Sequence, residues 1–447
     1  MKRREFGTLA AAVGLAATRF GRASAATDPL EATSGKTVYF RGWQFATDVV
    51  QSNVKRYNDA EHGKVNYATI TGDYPSIMEQ SLIAKADLDV LYANPSSAVR
   101  YSEGGWVLPA ETLPAIADIK ADMLPTLAEA WTYKGNLLGL SYFVSTRGCI
   151  HTNLLAYEKA GFSDKDFPKD WDALYDQVYA LHAKGVATPI LPHWFSEYFG
   201  LSWGFVMEVL DRGNKIADPE THKPVMTTDA NGAAYKTLAQ WKKLWNSKLV
   251  PQEVLTYNEA AYIDAYASGR YVFSPQQIYD LQTFNKPGRS QIAGHSTILP
   301  VVDQPWGLID SAMYLMTSRT RPEAVTADVK KFTSWYGYKD NTGQIAVGER
   351  WMQDNMLFSA YKSIMDSPVT EARIKQACAR PADYEVVLDV YKATPFPTGI
   401  WRVVWSEEFN SYLRDVLSKF LLNDGDIVKT ITAMNDQISS LNDKYGL

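Results

Sequence analysis

Cysteine is nearly absent: Cys149 and Cys378 are the only two in 447 residues. Neither stands in a Cys-x-x-Cys or Cys/His spacing, which excludes a cysteine-based zinc site and a redox dithiol. In an oxidising compartment the two either pair, if the fold brings them together, or remain separate buried thiols; the second arrangement is favoured. Histidine is also scarce, with six in the chain, and no His-Glu-x-x-His occurs. A phosphate-cradling Gly-x-x-x-x-Gly-Lys and a dinucleotide-binding Gly-x-Gly-x-x-Gly are missing as well. Gly294-His295-Ser296-Thr297-Ile298 begins like a nucleophile elbow but lacks the closing glycine, so it reads as a strand entry. No metal and no cofactor are expected. No run of about 18 apolar residues follows the N-terminus, which excludes a later bilayer-spanning helix. Low-complexity tethers and fixed-period repeats are missing. So is any basic stripe, and nucleic acid is therefore not an expected partner.

What is present is a long, evenly charged chain, 46% hydrophobic, 21% charged and −5 overall. Single hydrophobic cores stop growing near 250–300 residues, so more than one core is expected, joined by short crossings. The N-terminus carries Lys2-Arg3-Arg4-Glu5-Phe6, an apolar run from Leu9 to Ala17, and the small residues Ala23-Ser24-Ala25. This order of basic, apolar and small segments reads as a signal peptide over residues 1–25. The arginine pair resembles a twin-arginine export signal, with Lys2 and Gly7 departing from the consensus. Export to the periplasm is expected, as a free protein, since no cysteine lies at the cleavage site.

Beyond the signal the pattern alternates strand and helix. Thr37 to Phe40 alternates like a strand, Val50, Val54 and Tyr57 mark one helix face, and Val65 to Thr71 is a second strand. A helix from about Pro75 to Lys85 and a buried strand at Leu88–Tyr92 complete the order, which predicts a parallel sheet flanked by helices. Ligands of such sheets sit beyond the carboxyl ends of the strands. That rule singles out Trp43 and Gln44, then Gly72 and Asp73, then Tyr92 and Asn94.

Further along, "GGWVLPAE", "AWTYKGNLLGLSYFVSTRGCIHTNLLAYEKAGF" and "FPKDWDALYDQVYAL" follow one another. Together with "AYIDAYASGRYVF" and "PTGIWRVVWSEEFNSYLRDVLSKFLLNDGD", they resemble the extracellular solute-binding proteins of ABC importers, of the maltose-binding type. Ser141 replaces the family's hairpin proline, and Asp170 stands where it has threonine before Trp171, a change that keeps a helix-capping oxygen. The resemblance implies an α/β protein of two lobes (the type II periplasmic-binding architecture), each an open, mostly parallel sheet flanked by helices. It places one lobe at residues 36–143 plus 297–340 and the other at 147–294 plus 345–447, with a solute held between them by hinge closure. It also implies a monomer, and a permease that recognises the loaded protein.

By the same resemblance the solute-facing residues are Trp43, Gln44, Tyr92 and Asn94 in one lobe, and Trp194, Glu197, Tyr198, Gln276, Tyr279 and Trp401 or Trp405 in the other. The crossing "YFVSTRG" brings Ser145 and Arg147 to the cleft floor, with Trp306 and Asp310 approaching from a returning strand. Arg147 is weighed equally as a solute ligand and as a hinge ion-pair partner. The chain's 13 Trp and 26 Tyr favour a carbohydrate, because a ring with a flat apolar face and a polar edge suits the C–H face of a pyranose. Two other functions compete with it. A cation such as a polyamine would want carboxylates such as Asp73, Glu197 and Asp310 beside the rings. A secreted carbohydrate-active enzyme would need two carboxylates across a scissile bond, and no pair stands out.

Overall fold

A computed structural model describes residues 33–447; the signal-like segment of residues 1–25 lies outside them. Strand β1 (Val38–Gly42) leads into helix α1 (Thr47–Glu61), β2 (Val65–Thr69), α2 (Tyr74–Ile83), β3 (Val90–Ala93) and α3 (Pro95–Glu103). β1 pairs in parallel with β2 on one side and β3 on the other. This is the expected β–α–β–α–β unit: alternate residues Val38, Phe40 and Gly42 are buried, and Val50, Val54 and Tyr57 face them from α1.

The rest of the sheet is not parallel. The long strand β4 (Leu140–Asn153), β5 (Phe273–Gln277), the short β6 (Ser296–Ile298) and β7 (Leu308–Thr317) follow. β7 runs antiparallel to both β3 and β4, and β4 runs antiparallel to β5 and β6. The mostly parallel sheet expected from sequence therefore holds only for β1–β3. The cause is that β4 and β7 pass between lobes in opposite directions and lie side by side. Between β4 and β5, α4 (Trp171–Ala183), α5 (Leu201–Asp211) and α6 (Glu259–Ala267) build the second lobe. Asp170 caps α4 as expected, its side chain accepting the Ala173 N–H at 2.7 Å. Near residue 190 the chain makes a single parallel bridge, Ile190 to Phe273.

Buried side chains form two cores. The first gathers Phe40, Leu91, Val144, Met313, Phe332 and Trp351; the second gathers Ile150, Leu174, Phe205, Phe273, Trp405 and Leu417. Apart from Ile278, Leu281 and Ile298, which also reach the first core, the described chain passes between them three times. Cys149 belongs to the first core and Ile150 to the second, Leu308 to the second and Ile309 to the first. Past α7 (Asp383–Ala393), Tyr391 is in the first core and Ile400 in the second. Residues from Ile345 to Tyr391 thus pack in the first core, where the sequence reading had put 345–447 in the second lobe, and the third crossing is at 394–397 rather than near 340–345. Those helices are amphipathic, and an apolar face does not say which core it covers. The crossings are stitched together: the Ile309 N–H donates to the Pro395 carbonyl at 2.9 Å, and the Thr146 and Thr394 hydroxyls meet at 2.9 Å.

Two C-terminal helices, α8 (Ser406–Leu422) and α9 (Ile427–Tyr445), close the second core with Phe409, Leu413 and Leu417 on one and Ile431, Met434 and Ile438 on the other. Spacings of three and four residues put each set on one helix face. Cys149 and Cys378 are separate free thiols, the first buried. Among the described residues no helix is long and apolar enough to cross a membrane.

Candidate functional site

Between the two cores lies a cleft of about 940 Å³. One wall is made by the turn after β1 (Trp43, Gln44), the turn after β2 (Gly72, Asp73) and the start of α3 (Asn94, Ser97); the other by Glu197, Tyr198, Phe199, Trp203, Glu259 and Tyr279. The first wall sits where the sheet rule places ligands, because turns at the carboxyl ends of β1–β3 open towards the second lobe.

The floor is polar and internally paired. Arg147, 4% exposed, donates from Nε to Asp310 Oδ2 at 2.9 Å and from a terminal nitrogen to Glu259 Oε1 at 2.8 Å. Its guanidinium lies 4.3 Å from the centre of the Phe199 ring and 5.7 Å from that of Trp203. Asp310 also accepts from Gln277 Nε2 at 2.6 Å, and Ser145 holds Gln277 from behind at 2.6 Å. Burial alone would lower the Arg147 pKa, but Glu259 and Asp310 outweigh it and hold the group above its ordinary value. Burial raises Glu259 against the pull of Arg147. Burial, and then the charge of Glu259, push Asp280 up to about 8.

The remaining carboxylates of the cleft are satisfied too. Glu197 accepts the Glu259 N–H at 2.6 Å, at the first turn of α6, where a negative charge suits the helix dipole. Asp73 accepts from the Ser76 hydroxyl at 2.7 Å, and Glu407 accepts from Ser96 at 2.5 Å and Ser97 at 3.0 Å. Trp43, half-buried, lines the same cleft, with ring centres of Tyr74, Tyr92 and Tyr142 at 5.4, 5.0 and 5.7 Å. Those three rings pack against the indole and hold it in place at the cleft wall.

Of the residues expected to face a solute, Trp43, Gln44, Asn94, Arg147, Glu197, Tyr198, Tyr279 and Asp310 line this cleft. Seven do not, and each has a partner that explains why. Tyr92 is fully buried and stacks on Tyr142 at 4.5 Å. Ser145 lies under the floor, and Gln276 turns into the second lobe to Ser274 at 2.8 Å, leaving the cleft side to its neighbour Gln277. Trp194 packs on Trp241 at 5.0 Å, and Trp306 on Trp171 at 5.6 Å. Trp401 lies 4.4 Å from Trp203, one layer behind the wall, and Trp405 donates its Nε1–H to Asn442 at 2.8 Å inside the second core. Phe199, Trp203, Glu259 and Glu407 were not singled out from sequence. Arg147 offered the one usable signal, since a buried guanidinium demands carboxylate partners; nothing in the sequence says that Glu259 is one.

Residues 53–367 match the family model of bacterial extracellular solute-binding proteins. The chain belongs to that family. No curated protein sequence matches it significantly. Solved solute-binding proteins share its fold at low identity. Maltose-bound MalE3 of T. maritima superposes with a TM-score of 0.74 at 16% identity, over 91% of this chain and 99% of the other. An ABC transporter solute-binding protein of Agrobacterium vitis S4 with bound D-mannitol gives 0.71 at 15% identity, over 92% and 99%. One from Thermotoga lettingae with bound alpha-D-tagatose gives 0.71 at 16%, over 91% and 99%. The two-lobed α/β architecture is thus that of the periplasmic sugar-binding proteins, and the family to which this solute-binding protein belongs consists of binding proteins rather than enzymes.

Proposed function

We propose that this protein is the substrate-binding component of an ABC importer that captures a neutral polyhydroxylated solute, a mono- or oligosaccharide or its polyol, in the cleft between the lobes and delivers it to the membrane permease. One observation carries the reading: the floor's guanidinium is paired with two carboxylates, and the half-buried indole of Trp43 lines the same cleft. The hydroxyls, amides and carboxylates along the cleft offer donors and acceptors to a polyhydroxylated solute, and the indole suits a sugar's C–H face. Neighbours of the same fold carrying maltose, tagatose and mannitol support the same ligand class. Of the carboxylates that a polyamine would pair with, Glu259 and Asp310 are already taken up by Arg147, whereas Asp73, Glu197 and Glu407 accept only from neutral donors, so the preference for a neutral solute rests on the aromatic wall and on the ligands of the neighbours.

A thermal-shift screen with neutral saccharides, polyols and polyamines tests this. A solute at 100 times its Kd stabilises the folded state by about 2.7 kcal/mol, which raises the melting temperature by several degrees. Shifts with sugars or polyols are expected; a shift with polyamines alone would overturn the reading.

We further propose periplasmic delivery through the twin-arginine route, on the strength of Arg3-Arg4 and Phe6. Changing both arginines to lysine is expected to leave precursor in the cytoplasm. An unchanged periplasmic yield would contradict it.

A further inference from the structure

Side chains of the two lobes bond directly to each other along one edge of the cleft. Helix α3 belongs to the first core through Ala98, Val99 and Tyr101, and α8 and α9 belong to the second. Glu407, in the first turn of α8, accepts from the hydroxyls of Ser96 at 2.5 Å and Ser97 at 3.0 Å, both in the first turn of α3. Tyr198, from the second lobe, adds its hydroxyl 3.5 Å from Ser96. One turn along α3, Arg100 donates to the Tyr445 hydroxyl of α9 at 3.2 Å. Both ends of this second contact are fixed within their own lobes: Arg100 is held by Glu79 at 2.6 and 2.8 Å, and Tyr445 by Glu408.

We propose that Ser96, Ser97 and Arg100 on α3, with Glu407 and Tyr445 on the second lobe, form a latch that holds the lobes together without a solute. Glu407 and Arg100 thereby set solute affinity as positioning residues. Three features support it. Glu407 accepts two hydroxyl hydrogen bonds through one oxygen, and while burial raises its pKa both bonds lower it. The carboxylate also lies at the N-terminus of α3, whose dipole favours a negative charge there. Finally, the donors and acceptors are pre-ordered, Asn94 capping α3 through the Ser97 N–H at 2.9 Å, so little rotamer freedom is lost when the edges meet. A solute that binds only the closed form has an apparent Kd equal to its intrinsic Kd divided by the closed fraction. A latch that keeps this fraction near one lets the solute spend none of its affinity on closure.

The inference does not depend on which solute is bound, and it is tested on the full mature chain with none present. Small-angle scattering of the wild type is expected to fit the closed arrangement. Breaking both contacts, with Glu407→Ala and Tyr445→Phe together, is expected to lower the closed-to-open ratio about tenfold or more and enlarge the radius of gyration. Ser96→Ala with Ser97→Ala and Tyr445→Phe should do the same with Glu407 left in place, and guards against misfolding of the first variant. Glu407→Gln, which keeps an acceptor oxygen, is expected to stay closer to the wild type than Glu407→Ala does. An open wild type without solute, or folded variants with an unchanged radius, would overturn the latch.

Discussion

Replacing Gly307 by alanine is expected to destabilise the protein by about 3–5 kcal/mol, the sum of backbone strain and overpacking at one site. Gly307 has φ +89°, and a Cβ placed on it would stand 2.2 Å from the Arg147 carbonyl oxygen. The obstacle is backbone, part of the first crossing, and cannot swing aside. The same residue donates its N–H to Asp211 at 2.9 Å, so moving the chain to make room breaks a buried bond. Gly148, φ +90°, lies against it on the first crossing, its own Cβ position 3.3 Å from the Gly307 Cα. The two crossings therefore touch glycine to glycine. Gly288, φ +79°, has nothing within 4 Å of its Cβ position, and Gly288→Ala is the control: it is expected to cost only the strain, about 1–2 kcal/mol. Denaturant unfolding of both variants checks the difference. Equal losses would mean that the crossings do not pack as described.

Arg147→Met is expected to cost about 3–5 kcal/mol, because it leaves Asp310 and Glu259 without the cation that balances them. Asp310 is 7% exposed and would keep only Gln277 as a donor. The loss should shrink in acid, because Glu259, whose pKa burial already raises, takes up a proton more readily once Arg147 is gone. Adding Asp310→Asn should recover part of it, a coupling that a double-mutant cycle reads directly. An additive double mutant would place Arg147 outside this network. The two sequence readings of Arg147, solute ligand and ion-pair partner at the hinge, meet here: the guanidinium is paired and also lines the cleft.

The β1–β3 unit and the cap at Asp170 were legible because their signals are local: alternation, periodicity and one oxygen before a helix. The third crossing was not. The helices between Ile345 and Tyr391 show an apolar face, but which core that face covers is decided by chain path. The tryptophans divide the same way. Trp43, placed by its position after β1, lines the cleft; Trp194, Trp306, Trp401 and Trp405, placed by local position and resemblance, each pack in the second core. An indole in sequence carries no mark of which side of a wall it occupies. Glu407 illustrates the limit from the other side, since an acidic residue in the first turn of a helix reads as ordinary dipole compensation, and its partners on α3 stand some 310 positions away.

The central claim, a neutral solute held in the cleft against Trp43, is tested most directly by calorimetric titration of the wild type and Trp43→Leu with the best-stabilising saccharide, alongside denaturant unfolding of both without solute. Leucine keeps apolar contact with Tyr74, Tyr92 and Tyr142 but removes the flat face. The account predicts apo stability within about 1.5 kcal/mol of the wild type, as for hydrophobic replacements that preserve packing, and affinity weakened by about 1–3 kcal/mol, roughly ten- to a hundredfold. Unchanged affinity in a stably folded Trp43→Leu would contradict it.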